Sequence, residues 1–230
     1  MNIDMSNIDS FNDIFAKAEQ HKGGYEELIT TLPVLLSDAE LMRLSDAHYL
    51  EKLTRCIFVS GFSSNVIRHK WDGFLEVFQE FDIDKLSELA DEDWQAMAED
   101  TRIIRNKRKI NAVRDNLKMV KNLSEEYQGF GKFMLSWGGE NQVGLMKFLN
   151  EQGNQIGDNT AQYFLRYIGI DGFVMSQDVC QAAIEAGVEI KPKPTSQKDK
   201  KALQEAFNFW QQESQMPYTH ISKILAYSQG

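Results

Sequence analysis

Only two cysteines stand in the 230 residues, Cys56 and Cys180. So sparse a set excludes a disulfide framework, and neither belongs to a CxxC pair that would mark a metal or redox site. No apolar run reaches the roughly 18 residues that a membrane-crossing helix needs, and the polar N-terminus lacks the charged and apolar regions of a signal peptide. The chain is therefore expected in the cytoplasm, with reduced thiols and no membrane partner. Nowhere do β-branched and polar residues alternate long enough for a strand, and no segment repeats. What remains is an all-α pattern. With 42% hydrophobic and 26% charged residues, the composition is that of an ordinary globular chain long enough to bury a sizeable core.

Positive charge is scarce overall and concentrated locally. The formal net charge of −9 excludes a protein that wraps nucleic acid over its whole surface, because phosphate repulsion would be general. Between Arg102 and Lys121, however, eight basic residues face one acid, Asp115, so this stretch carries +7 and the remainder −16. The basic residues are Arg102, Arg105, Lys107, Arg108, Lys109, Arg114, Lys118 and Lys121. A solvated helix face and a cationic contact surface are both compatible with such a run.

Helical periodicity organises the rest. Residues 1–20 read as a first amphipathic helix led by Asn7 to Phe15, with Ser10 as a cap and Gly23-Gly24 as its end. Tyr25 to Leu36 carries a second apolar pattern, with Pro33 in a turn or at a helix start. Ser37 and Glu40 have the spacing of a capping box, and Ser45-Asp46 restarts a helix running to Val59. After the small polar loop Ser60–Asn65, a helix is predicted over Val66–Phe81, then two short ones beginning at Asp84 and Ser87, the second marked by Asp91-Glu92-Asp93-Trp94. A long helix from about Ile103 to Leu123 places Ile110, Val113, Leu117 and Val120 on one stripe and Lys107, Arg114, Lys118 and Lys121 beside it. Val143–Leu149, Val179–Ala186, Lys198–Glu213 and Tyr218–Tyr227 are further helices, and Lys191–Ser196 is an extended linker.

The stretch from Gln155 to Gly169 organises the functional reading. Ile156-Gly157-Asp158-Asn159-Thr160 opens a helix whose Ala161, Phe164, Leu165 and Ile168 recur at i, i+3, i+4, i+7. Gly157 can take a left-handed conformation there, Thr160 or Asp158 can cap the first turn, and the unpaired N–H groups of that turn could grip a phosphate. A short connection then delivers Asp178 at the start of another helix.

This order of turn, helix, loop and acid resembles the helix-hairpin-helix DNA glycosylase superfamily, most closely the 3-methyladenine DNA glycosylase I family. Three segments carry the resemblance. Ile156 to Phe164 looks like the hairpin and its second helix. Phe173-Val174-Met175-Ser176-Gln177-Asp178-Val179 resembles the segment ending in the superfamily's aspartate. Ile103 to Ala112, reading Ile-Ile-Arg-Asn-Lys-Arg-Lys-Ile-Asn-Ala, is similar to the type I family's run. A fourth, Cys56 to Ser64, sits where the superfamily has its lesion-pocket helix and loop and matches more loosely. The resemblance implies a glycosylase-like domain over 46–190, N-terminal helices at 1–45 packing on it, and a linker with C-terminal helices at 191–230.

It also implies a chemistry. A monofunctional glycosylase of base excision repair extrudes a base from damaged double-stranded DNA and hydrolyses the N-glycosidic bond, here of alkylated purines such as 3-methyladenine. Asp178 is the candidate carboxylate that stabilises the sugar cation; a plain helix cap is the alternative reading. Gly157, Asn159 and Thr160, with Arg105, Lys107 and Arg108, are the candidate DNA contacts. Ser60, Phe62 and Tyr163 are the candidate base pocket or wedge, although aromatic residues at such positions are commonly core. Hairpin carbonyls could hold a monovalent cation; no other cofactor is implied. The family's structural zinc is not expected, because Cys56, Cys180, His48 and His220 do not have zinc spacing. No lysine stands at the position immediately preceding the hairpin turn or in the loop before Asp178, where bifunctional relatives keep a Schiff-base nucleophile, so no lyase step is expected. The protein is expected to act as a monomer. Cys56–Asn65 lacks the acid with which the type I family recognises a methylated purine. The alternative is therefore a catalytically weak or inactive DNA-binding relative, or, further off, an all-α protein-interaction module.

Overall fold

The computed structural model describes residues 7–230, which form helices and no strand. In chain order these are α1 (Phe11–Lys22), α2 (Tyr25–Thr30), α3 (Asp38–Arg43), α4 (Asp46–Val59), α5 (Ser64–Val77), α6 (Ile83–Ser87) and α7 (Asp91–Met97). There follow α8 (Lys107–Tyr127), α9 (Phe130–Leu135), α10 (Gln142–Gln152), α11 (Asp158–Ile168), α12 (Gln177–Glu185), α13 (Gln197–Ser214) and α14 (Tyr218–Tyr227). Among the described residues no helix is long and apolar enough to cross a membrane.

Seven helices begin by one device. Ser10, Ser37, Ser45, Asp82, Asn106, Ser176 and Ser196 each accept, through the side-chain oxygen, the main-chain N–H three residues on. Each cap satisfies one of the donors that a first turn leaves unpaired and contributes about 1 kcal/mol. The capping box at Ser37 is complete, Glu40 Oε2 accepting from Ser37 N at 2.8 Å.

Four helix boundaries differ from the sequence expectation, one of them the start of α7, which falls at Asp91 while Ser87 ends α6. α2 stops at Thr30, and residues 31–37 around Pro33 are not helical. α8 begins at Lys107 rather than Ile103, because Asn106 caps it and leaves Ile103 buried ahead of the first turn. The helix expected over Val66–Phe81 ends at Val77, after which Gln79, Glu80 and Phe81 are left-handed. That reversal lets Phe81 stack on Phe78 at 5.3 Å and on Trp71 at 6.1 Å, all three rings being buried. Burying one such ring contributes about 1.5–3 kcal/mol, which offsets part of the cost of the left-handed backbone.

The helices form two compact units, which cut across the sequence divisions 1–45, 46–190 and 191–230. One comprises Leu36–Ser136 and Leu145–Ile168. Here α4 packs on α8 and α11, and the apolar stripe of α8 (Ile110, Val113, Leu117, Val120) is buried as its period predicts. The other comprises the described residues up to Leu35, Trp137–Gly144 and Gly169–Gly230. Its core is built on Phe173, which stacks on Phe207 at 4.2 Å, and on Trp210, whose Nε1 donates to Asp9 O at 3.0 Å. Residues 1–6, where the first helix pattern also reaches, lie outside the described residues.

Candidate nucleic-acid interface and base pocket

α10, the turn at 153–157 and α11 form the hairpin. Gly153 is needed for space: a Cβ there would come within 2.8 Å of Leu149 O and 3.0 Å of Asn116 Oδ1. The turn is held from inside. Asn116, fully buried on α8, donates from Nδ2 to Asn154 O at 2.9 Å and accepts from Asn154 N at 2.8 Å. Asp115 accepts from Asn154 Nδ2 at 2.7 Å, and Asn150 Nδ2 donates to Ile156 O at 2.9 Å. With its amide oxygen turned inward, Gln155 accepts two bonds of 2.9 Å from Arg108. The expected left-handed residue is displaced: Gln155 has φ 60°, whereas Gly157 is not among the positive-φ glycines. A Cβ added at Gly157 would meet nothing within 4 Å. Nothing inside the fold therefore requires a glycine at 157. Its carbonyl accepts the first helical bond of α11, from Ala161 N at 2.9 Å, so the N–H groups ahead of Ala161 lie outside the helical ladder.

α4 and α11 enclose one side of a cavity of about 380 Å³. Ser60 and Tyr163, expected at a base pocket, line it together with Cys56, Gly61 and Tyr167. Asn159 and Thr160, assigned from the sequence to a phosphate, line it as well; Thr160 is buried, and Asn159 Oδ1 accepts from Gln162 Nε2 at 2.8 Å. Phe62 does not line the cavity. It is half-buried in the loop beyond α4, 5.8 Å from the Lys109 ammonium. Lys109 closes the C-terminus of α4 by donating to Ile57 O at 2.5 Å and Ser60 O at 2.7 Å. Burial, helped by the neighbouring Arg108 charge, holds its ammonium below the usual lysine range. Cys56 is buried, which pushes its thiol up to about 12 and keeps it neutral.

The basic run is less cationic in the fold than in the sequence. Arg114 pairs with Asp91 and lies over Trp94; Arg102 bridges Asp100 and Glu76; Lys121 reaches Asp84 at 4.0 Å. Lys109 is committed to α4 and Arg108 to Gln155. Arg105, Lys107 and Lys118 are exposed and make no ion pair among the described residues. The structure thus divides the six candidate DNA contacts. Arg105 and Lys107 point a charge to solvent, Arg108 braces the turn, Gly157 is open, and Asn159 and Thr160 face the cavity.

In the other unit, the segment leading to Asp178 is fastened along its main chain. Gln142 accepts from Phe173 N and donates to Phe173 O, both at 2.7 Å. Thr219 Oγ1 accepts from Gly172 N at 3.0 Å and donates to Gly172 O at 2.9 Å, and Ser222 Oγ accepts from Val174 N at 3.1 Å. Asp171 in turn caps α14, accepting from Tyr218 N and Thr219 N at 3.0 and 2.8 Å. Ser176 is the N-cap of α12, not Asp178. Asp178 stands exposed in the first turn, where the helix dipole favours a carboxylate, and makes no hydrogen bond or ion pair with the described residues. Gln142, Thr219, Ser222 and Asn116 are positioning residues that sequence reading missed. For Asn116 a signal existed, a polar side chain within the apolar stripe of α8. Among the described residues no group of three or more His, Cys, Asp or Glu is placed to hold a metal ion.

A family model described as methyladenine glycosylase matches residues 41–174. No curated protein matches. Among solved structures the chain is similar to the Methanocaldococcus jannaschii 8-oxoguanine glycosylase/lyase in complex with a 15mer DNA containing 8-oxoguanine. That match has 16% identity over 94% of this chain and 96% of that one, with a TM-score of 0.53. The 8-oxoguanine DNA glycosylase of the same organism matches at 16% identity over 92% and 91%, with a TM-score of 0.52. A 3-methyladenine DNA glycosylase I matches at 19% identity over 54% of this chain and 79% of that one, with a TM-score of 0.48.

Proposed function

The chain belongs to the methyladenine glycosylase family, and from that membership we propose that it is a monofunctional DNA glycosylase of base excision repair. Its substrate is damaged double-stranded DNA, and it hydrolyses the N-glycosidic bond of alkylated purines such as 3-methyladenine. The observation that carries the reading is Gly157, a glycine that no internal contact or backbone angle requires, at the open start of α11. A residue without a side chain there lets a phosphate approach the first-turn N–H groups. Arg105 and Lys107 add charge without sequence preference, which suits an enzyme that must act wherever damage occurs.

The reaction follows from the groups available. The extruded base leaves with the bonding electron pair, and a water oxygen bonds to the sugar carbon that it vacates. Asp178, an acid without an internal partner, stabilises the developing oxocarbenium ion as an anion. Lacking a lysine nucleophile, the enzyme stops at the abasic site. The carbonyls of Asn154, Ile156 and Gly157 already accept from Asn116, Asn150 and Ala161. Each of these oxygens keeps a second lone pair, with which the turn could hold a monovalent cation.

The test is release of free base from methylated duplex DNA, with the product identified by mass. A second reading, an inactive DNA-binding relative, is favoured by one observation: none of the residues lining the cavity is acidic. Duplex binding without base release would select it.

A further inference from the structure

Two neighbouring residues of α8 reach towards the two helices beside the cavity. Arg108 holds the Gln155 side chain in the turn ahead of α11, and Lys109 reaches the end of α4. The Lys109 ammonium donates to Ile57 O at 2.5 Å and to Ser60 O at 2.7 Å. Ile57 O belongs to the last turn of α4, whose carbonyls the helical ladder leaves open, and Ser60 lies just past the helix. The ammonium also stands 6.0 Å from the Phe58 ring and 5.8 Å from the Phe62 ring. It makes no ion pair among the described residues. A half-buried cation without a carboxylate carries a desolvation cost that an apolar side chain of the same length would avoid. What it supplies is a tie between α4 and the loop beyond it. That loop turns at Gly61, left-handed at φ 105°, and Ser60 and Gly61 both line the cavity.

We propose that Lys109 is a positioning residue of the base cavity: through Ile57 and Ser60 it fixes the Ser60–Gly61 rim against α8. The inference rests on the glycosylase reading of the cavity and adds the device that holds its rim. Lys109 is not one of the lining residues, so it acts on an extruded base only through Ser60 and Gly61. Two of its three N–H donors are spent on carbonyls, and the phosphate contacts fall to the exposed Arg105 and Lys107 of the same stretch. The grip on the duplex and the shape of the rim are therefore set by different cations of one run. A shift of about 1 Å in a site can cost about 10²-fold in rate, so a rim released from Lys109 lowers turnover and leaves duplex affinity intact.

The experiment compares the whole protein with its Lys109→Met and Lys109→Arg variants. Amide hydrogen exchange is read over residues 60–64, duplex affinity by anisotropy across a salt series, and base release from methylated duplex in single turnovers. Lys109→Met, of similar length but uncharged, is expected to speed exchange in the loop about tenfold and slow release about 10- to 100-fold. Its duplex affinity is expected to stay within about twofold of wild type, and Lys109→Arg, which keeps charge and donors, to restore release to within about fivefold. Unchanged exchange in Lys109→Met, or faster exchange with unchanged release, overturns the proposal. A salt slope smaller by about 0.9 would make Lys109 a phosphate contact and overturn it as well. Gly61→Ala strains the same rim without touching α8, and a Cβ there meets nothing within 4 Å. Release at the wild-type rate in that variant also overturns the proposal, whether or not Lys109→Met folds. A wild type that releases no base overturns the glycosylase reading, and exchange in the loop still decides whether Lys109 holds the rim.

Discussion

Asn116 and Asn154, 38 residues apart, are paired in both directions: the side-chain amide of one takes both main-chain groups of the other, at 2.9 and 2.8 Å. This is how the long helix α8 holds the hairpin turn in one conformation. The side chain of Asn116 is fully buried, so the bonds do not compete with water.

Replacing Asn116 by leucine should therefore leave the Asn154 N–H and C=O without their partner and destabilise the protein by about 2–3 kcal/mol. Urea unfolding checks the stability. Duplex affinity should fall in the same variant under conditions where it is still folded, because the turn loses its brace. Unchanged affinity would show that the hairpin needs no support from α8.

Gly157→Ala separates folding from binding. The added Cβ meets nothing within 4 Å and the backbone is not left-handed, so stability should change by no more than about 0.5 kcal/mol. Duplex affinity should drop about tenfold, the worth of one charge-assisted hydrogen bond of about 1.5 kcal/mol. Fluorescence anisotropy with a labelled duplex gives the second number. An alanine variant that binds as wild type would remove the hairpin from the interface.

Asp178→Asn should slow base release from methylated duplex by about 10²–10³, the usual cost of losing one electrostatic stabiliser. Because Asp178 is exposed and unpaired, the variant should lose only the helix-dipole contribution, at most about 1 kcal/mol, and its thermal midpoint should fall by no more than a few degrees. Equal loss of stability and rate would instead make the residue structural.

Salt dependence distinguishes exposed from internally paired cations. Arg105→Ala and Lys107→Ala should each flatten the slope of log K against log salt by about 0.9. Arg114→Ala should leave the slope unchanged, since Asp91 already neutralises that guanidinium. A drop in slope for Arg114→Ala would place it on the phosphate backbone.

Alkaline pH should unfold the protein gradually. Burial pushes Cys56 from its ordinary value of 9.0 to about 12, and Tyr49 from 10.0 to about 12. Both groups are raised by folding, so their contribution is complete below about pH 9 and is lost as pH climbs towards about 12. The urea midpoint should decline between pH 9 and 11, and Cys56 should resist alkylation at pH 8. A midpoint rising over that range would contradict the sign.

What the sequence determined by itself was local. Serine three residues ahead of a donor predicted the starts of α1, α3 and α4, and the i, i+3, i+4, i+7 spacing of Ala161, Phe164, Leu165 and Ile168 predicted α11 and its buried face. These rules involve neighbours within one or two turns, so they need no fold to be read. The order of hairpin, helix and Asp178 was legible for the same reason. Tertiary structure decided the rest. Arg102, Arg114 and Lys121 were cations in the sequence and became ion pairs only when Glu76, Asp91 and Asp84 were packed beside them. The left-handed residue of the turn fell on Gln155 instead of Gly157, where Asn116 holds the main chain of the adjoining Asn154 and Arg108 the side-chain amide of Gln155, both from a distant helix. Phe81 left its predicted helix to reach Phe78 and Trp71. The ion pairs and the brace on the turn join residues more than 20 positions apart and exist only once the helices have packed. The Phe81 ring contact, though nearer in sequence, overrides the helical preference of its own segment.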